Sequence, residues 1–140
     1  MASKRTPPQH WFTNPTEQAA IRNTERKEWQ AIPKIYICSP YKGDIEKNTA
    51  NAIRYCRVAV DRGCFPIAPH VFLPQFLNDD NPAERELALS FGIRLLGGCK
   101  EIWVVGSNIT EGMKREINAA IKREITVKHF NEKMEEIRYD

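Results

Sequence analysis

The segment ITEGMKREINAA, residues 109–120, holds the side chain with the most to explain. It reads as a helix start straight after a strand, with Thr110 as its cap and Gly112 leaving the backbone open to a ligand. Met113, Ile117, Ala120 and Ile121 recur at i, i+4, i+7 and i+8, the spacing of an apolar face turned toward a sheet. Glu116 falls among them. A carboxylate on that face is partly desolvated, which costs free energy unless it is hydrogen-bonded or used in chemistry. Used, it is a nucleophile or an acceptor for ligand donors. Unused, it lies at the rim and pairs with Lys114, Arg115 or a neighbouring helix. Glu111 points the other way and reads as a favourable first-turn acid.

Two other stretches carry candidate chemistry. CSPYKGD (38–44) offers a hydroxyl (Ser39), a phenol (Tyr41), a cation (Lys42) and Gly43 ahead of a helix N-terminus, with Pro40 and Asp44 completing the turn. Such a turn holds a phosphate or sugar hydroxyls through backbone N–H groups and the helix dipole, or is a plain strand-to-helix turn. His70 is the histidine at a strand's carboxyl end, either a structural hydrogen-bonder or a catalyst. After it, Gln75, Asn78, Asp79 and Asp80 have the chemistry to reach a base or sugar, although NDDNP also reads as a solvated turn and helix cap. G-x-G-x-x-G and G-x-x-x-x-G-K-[ST] are both missing, which argues against a dinucleotide fingerprint and a P-loop.

The elements that must position these residues follow from period and punctuation. KIYICS is a buried strand carrying Tyr36. Residues 44–62 repeat as a helix, with Asp44 as N-cap and Gly63 as the stop. CFPIAP is a short or edge strand because of its prolines. HVFLPQFLNDDNP is loop-like, residues 82–96 form a helix, EIWVVGS is the clearest strand, and ITVKHF is the last. The remainder to Asp140 is a charged tail for which a helix is one option. Upstream, Asn14, Pro15 and Glu17 read as the N-cap, first position and third position of a helix to about Trp29. Trp11, Phe12 and Trp29 call for packing on the domain or on a second subunit.

Strand and helix alternate from Lys34 onward, the pattern of an α/β, three-layer flavodoxin-like or Rossmann-like domain with a four- or five-stranded parallel sheet. In such sheets ligands bind beyond the carboxyl ends of the strands, where the three candidate loops lie.

The bulk numbers fit one such domain. The chain has 140 residues, 41% hydrophobic and 28% charged, with a formal net charge of +3. Its cations are scattered among acids, which argues against a nucleic-acid polymer as partner. Cys38, Cys56, Cys64 and Cys99 form no C-x-x-C pair, and with no signal peptide or long apolar span in view the expected setting is reduced and cytoplasmic. No metal-ligand spacing is visible, so neither metal nor organic cofactor is expected.

KIYICSPYKGD, PIAPH, LPQFLNDDNPAERE, LLGGCKEIWVVG and TEGMKREI together resemble a bacterial and phage family of small uncharacterised, DUF4406-like domains. That family is placed near the nucleoside 2-deoxyribosyltransferases and the 2-deoxynucleoside 5-monophosphate N-hydrolases. The resemblance divides the chain into an N-terminal arm (1–33), a transferase-like domain (34–130) and a C-terminal tail (131–140). It implies cleavage of a base–deoxyribose bond through a covalent glycosyl-enzyme, as in a retaining glycosidase. The nucleophile's place falls on Glu116, with Gly112 and Met113 before it and two residues inserted. Ser39 to Asp44 would hold sugar or phosphate, Thr110 would be the phosphate-binding hydroxyl, and Tyr36, Tyr41 or His70 would stand near the nucleophile. The relatives carry an acid on the helix before the third strand; here Gly92 and Ile93 stand there, leaving Glu84, Glu86 or His70 as substitutes. A positioned acid contributes roughly 10²–10⁴-fold. The same fold without that acid also suits a non-catalytic nucleotide-binding domain, a sensor or sequestering module. The aromatic arm and the relatives' shared sites imply a homodimer or higher homo-oligomer.

Overall fold

The computed structural model describes residues 15–139. Helix α1 (Pro15–Ala31) and Ile32 belong to one unit, and the described residues from Pro33 onward to a second. Pro15 opens α1 as expected; Asn14, Trp11 and Phe12, and the side chain of Trp29, lie outside what is described.

The second unit follows the alternation in the sequence. β1 (Lys34–Cys38) is buried from Ile35 onward. α2 (Ile45–Asp61) starts where the Asp44 carboxylate accepts from the Lys47 amide, and the chain leaves it through Gly63, whose φ of +79° lies in the region that favours glycine. β2 (Phe65–Ile67) is the short edge strand its prolines required. The segment read as a loop instead folds into a short helix, α3 (Pro69–Phe72), and a 3₁₀ turn, Leu73–Gln75. Pro69 presets the first turn and Leu73 is buried, but four residues are too few for a period to show. α4 (Pro82–Leu96) is capped by Asn81, which accepts from the Ala83 and Glu84 amides at 3.0 and 3.2 Å. The cap is therefore Asn81 rather than Asp79 or Asp80. β3 (Glu101–Val105), α5 (Glu111–Lys122) and β4 (Thr126–Phe130) complete the repeat.

The tail is not helical. It turns back as β5 (Glu136–Ile137), antiparallel to β4, and seats Met134 in the core. The sheet order is β2-β1-β3-β4-β5, with the first four strands parallel. Alternation along each strand sorts side chains onto two layers. Ile35, Ile37, Trp103 and Val105 pack under α2, while Tyr36, Cys38, Ile102 and Val104 pack under α4 and α5. The strand order reverses between β1 and β3, so a crevice opens at their carboxyl ends.

On α5, Met113 and Ala120 are buried as the spacing required, but Ile121 is 59% exposed and Ala119 is buried in its stead. The helix is rolled so that its first half, carrying Met113 and Glu116, faces the crevice. Among the described residues no helix is long and apolar enough to cross a membrane, and no group of three His, Cys, Asp or Glu could hold a metal.

Candidate active site

Beyond the ends of β1 and β3 lies a cavity of about 340 Å³. Its floor comes from Tyr36 and Ser39 at the end of β1, one wall from Met113, Gly112 and Thr110 of α5, and the other from Ala88, Leu89 and Gly92 of α4. Pro69, His70, Leu73 and Pro74 close a third side, and Tyr41 and Lys42 stand at the mouth.

Glu116 lines this cavity, and its Oε2 is buried with no hydrogen-bond partner among the described residues. Burial raises its carboxyl from 4.5 to about 7; the Tyr36 hydroxyl donates toward it and draws it back in part. Tyr36, itself buried and next to that acid, is held well above 10 and stays a phenol. The rim pairing open to Glu116 does not form: Lys114 pairs with Glu111 at 3.4 Å and Arg115 with Glu86 at 2.7 Å.

Ser39 and His70 also meet, Oγ to Nε2 at 2.9 Å. Burial lowers His70 to about 4, so its ring is neutral at neutral pH. A neutral imidazole orients the Ser39 hydroxyl; it is a poor proton donor.

Of the candidate residues, Tyr36, Ser39, Tyr41, Lys42, His70, Thr110, Gly112, Met113 and Glu116 share this cavity. Pro40, Gly43, Asp44 and Gln75 do not line it. Asp44 is spent on capping α2, and Gln75 donates to the Val71 carbonyl. Gly43 lies in a neighbouring depression with Asn78 and Asp80, its φ of +103° supplying the turn. Thr110 already accepts from the Met113 amide as the N-cap. Neither Glu84 nor Glu86 reaches the cavity; the other carboxylates that border it are Asp79, 3.6 Å from Lys42, and Glu111, which is the exposed first-turn acid expected and pairs with Lys114. Arg85 and Leu89 had no signal in the sequence, because only the passage of α4 across the crevice makes them wall residues; the sequence marks Gly92 only as the place of the relatives' acid.

Gly92 stands where an acid was wanted. A Cβ there would lie 2.8 Å from the Tyr36 hydroxyl, so the space of a side chain is occupied by the phenol that reaches Glu116. Gly92→Ala is expected to push that hydroxyl off the carboxyl. The gain in helix propensity, about 1 kcal/mol, is offset by an overpacking cost of about 1–3 kcal/mol. With its donor displaced, Glu116 should titrate higher than in wild type, read by carboxyl-carbon NMR. An unmoved midpoint would show that the phenol is not what holds the acid.

The model of the family described as Domain of unknown function (DUF7768) matches residues 33–130. The chain belongs to that family. The match names DUF7768 where the residues were read as DUF4406-like. No curated protein matches the DUF7768 chain. Among solved structures it is similar to a 2-deoxyribosyltransferase from the psychrotolerant bacterium Bacillus psychrosaccharolyticus, with a TM-score of 0.58 at 18% identity over 75% of this chain and 77% of that one. The likeness shows that the DUF7768 domain shares the transferase's mostly parallel α/β fold.

Proposed function

We propose that the cavity binds a nucleoside or nucleotide and that Glu116 cleaves its N-glycosidic bond, with water or a second base as acceptor. The observation that carries this reading is a carboxyl oxygen buried in an open cavity with no hydrogen-bond partner among the described residues. Such an arrangement is costly in an empty protein and favourable once a ligand supplies what the oxygen lacks.

In the proposed reaction an ionised Glu116 oxygen attacks the anomeric carbon. The carbon–nitrogen bond breaks, and its electron pair leaves on the base, which takes a proton. The sugar is now esterified to Glu116. Water or a second base then attacks the same carbon, loses a proton and frees the carboxylate. The Tyr36 phenol orients the carboxylate, and Ser39, held by neutral His70, faces the sugar. Asp79 and Glu111 are each ion-paired, so we assign the leaving base's proton to solvent at the mouth.

One observation favours a second reading, a non-catalytic nucleotide-binding domain: the place of an acid on α4 is filled by Gly92 and the Tyr36 hydroxyl. A cytoplasmic setting and a homodimer or higher homo-oligomer belong to the same proposal. The stripe of Leu87, Phe91 and Leu95 exposed along α4 supports such an assembly.

The test is base release followed by chromatography, using the full chain with a panel of nucleosides and their monophosphates, with and without a second free base. Release or exchange is the expected result, and acceptor dependence separates transferase from hydrolase. No turnover at high protein concentration, with ligand binding retained, would replace the enzyme reading with the binding one.

A further inference from the structure

One lip of the cavity mouth is the loop of residues 40–43, which carries Tyr41 and Lys42, and the opposite lip is the turn at Asp79. The second lip is tied by its own turn: the Asp80 amide donates to Asn78 Oδ1 at 3.0 Å and the Asn81 amide to the Asn78 carbonyl at 3.1 Å. The first lip bends without a hydrogen-bonded turn of its own. Among the described residues, the hydrogen bonds that reach residues 40–43 both come from Asn48, whose Nδ2 donates to the Tyr41 carbonyl at 3.1 Å and to the Lys42 carbonyl at 2.9 Å.

Asn48 is the fourth residue of α2, and a helical side chain tilts back toward the N-terminus, so its amide reaches the chain that enters the helix. The fit is chemical as well. An amide nitrogen carries two donors, one for each carbonyl, whereas a carboxylate in the same place has none. Asn48 is half-buried and lines no part of the cavity, so it acts on a ligand only through the loop it holds. Held there, Lys42 reaches across the mouth to Asp79 at 3.6 Å. Tyr41 faces the same acids: burial, with Asp79 and Asp80 beside it, raises its phenol.

We propose that Asn48 is a positioning residue for the site: by fixing the loop it keeps Tyr41 and Lys42 over the mouth and slows the release of a bound ligand. Affinity then depends on a side chain that never touches the ligand. This rests on the reading that the cavity takes a nucleoside or nucleotide.

The test uses the full chain, with the common 2′-deoxynucleosides and their monophosphates as probes. Wild type, Asn48→Ala, Asn48→Asp, Lys42→Ala and the combination of Asn48→Ala with Lys42→Ala are compared by amide NMR, with dissociation rates taken from line shapes during titration. Without ligand, Asn48→Ala should shift or broaden the amide signals of residues 41–43 and leave those of the sheet in place. With ligand, dissociation should be about tenfold faster, the scale of one or two neutral hydrogen bonds, while single-turnover base release from saturated protein stays within a few-fold of wild type. Asn48→Asp, which keeps the shape and loses the donors, should do at least as much. Lys42→Ala should also speed dissociation, and adding Asn48→Ala to it should change little more, because both act through one contact across the mouth. Lys42 is exposed, so its variant tests the proposal even where Asn48→Ala does not fold. Wild-type dissociation in Asn48→Ala, Asn48→Asp or Lys42→Ala, or fully additive effects in the combination, overturns the proposal and leaves the nucleoside reading standing. Binding of no probe by wild type overturns the nucleoside reading and, with it, the effect on release.

Discussion

Glu116→Gln is expected to lower base release by on the order of 10³-fold or more while leaving ligand binding within a few-fold of wild type. The amide keeps the shape of the carboxyl and cannot form the glycosyl ester, so the loss falls on turnover rather than on affinity. Single-turnover base release separates the two. The pH dependence has a defined sign. Attack needs the ionised carboxylate, and burial sets its midpoint at about 7, so wild-type turnover should rise as pH increases through that value. Tyr36→Phe removes the donor that holds the midpoint down, so the rise should move to higher pH. If Glu116→Gln keeps wild-type turnover, the nucleophile lies elsewhere and the covalent mechanism is wrong.

The second large effect is on stability, and it grows with pH. The Glu116 carboxyl titrates at about 7 in the folded chain against an ordinary 4.5. Below 4.5 the group is protonated in both states and carries no penalty. As pH rises, the unfolded chain releases this proton while the folded chain retains it, and stability falls until the folded group also ionises. The loss levels off above about 7 at about 3 kcal/mol, from the 1.4 kcal/mol carried by each pK unit. Glu116→Gln has no proton to lose. Urea unfolding should therefore find the variant close to wild type near pH 4.5 and more stable than it by about 3 kcal/mol at pH 8. His70, lowered to about 4, contributes with the opposite slope but is present in both proteins, so the difference isolates Glu116. A difference that does not change with pH would mean that the carboxyl is solvated in the folded protein.

The two results together would show that one residue lowers stability and supports activity. A buried carboxyl with one oxygen unpartnered among the described residues is the kind of group that a protein selected only for stability discards. Gly92 fits the same account, because it leaves a slot on α4 and the Tyr36 hydroxyl occupies it.

Much of this was legible in the residues. The four parallel strands, helices α2, α4 and α5, the caps at Asp44 and Thr110, and the conspicuous place of Glu116 follow from local period and capping chemistry. These depend on neighbours three or four positions away, which a sequence shows directly. Whether Glu116 would sit at the rim or inside was not legible. That depends on the roll of α5, and exposed Ile121 against buried Ala119 shows that the apolar spacing alone placed the face slightly wrong. The turn at Asp79 illustrates the same limit: one acid of NDDNP reaches across to Lys42, while the neighbouring Asn81 takes the cap.

The sequence by itself determined the alternation of elements, the sheet they build and the end of it where the crevice opens, because backbone geometry and the periods of 2 and 3.6 leave few alternatives. Only the tertiary structure decided which side chains share the cavity. Arg85, Leu89 and Gly92 become its wall because α4 crosses the crevice, and the tail becomes a fifth strand because β4 would otherwise leave an open edge and Met134 an unfilled place in the core. Those contacts join residues far apart in the chain, and their free energy comes from burial and from the pairing of distant groups, which no local pattern encodes.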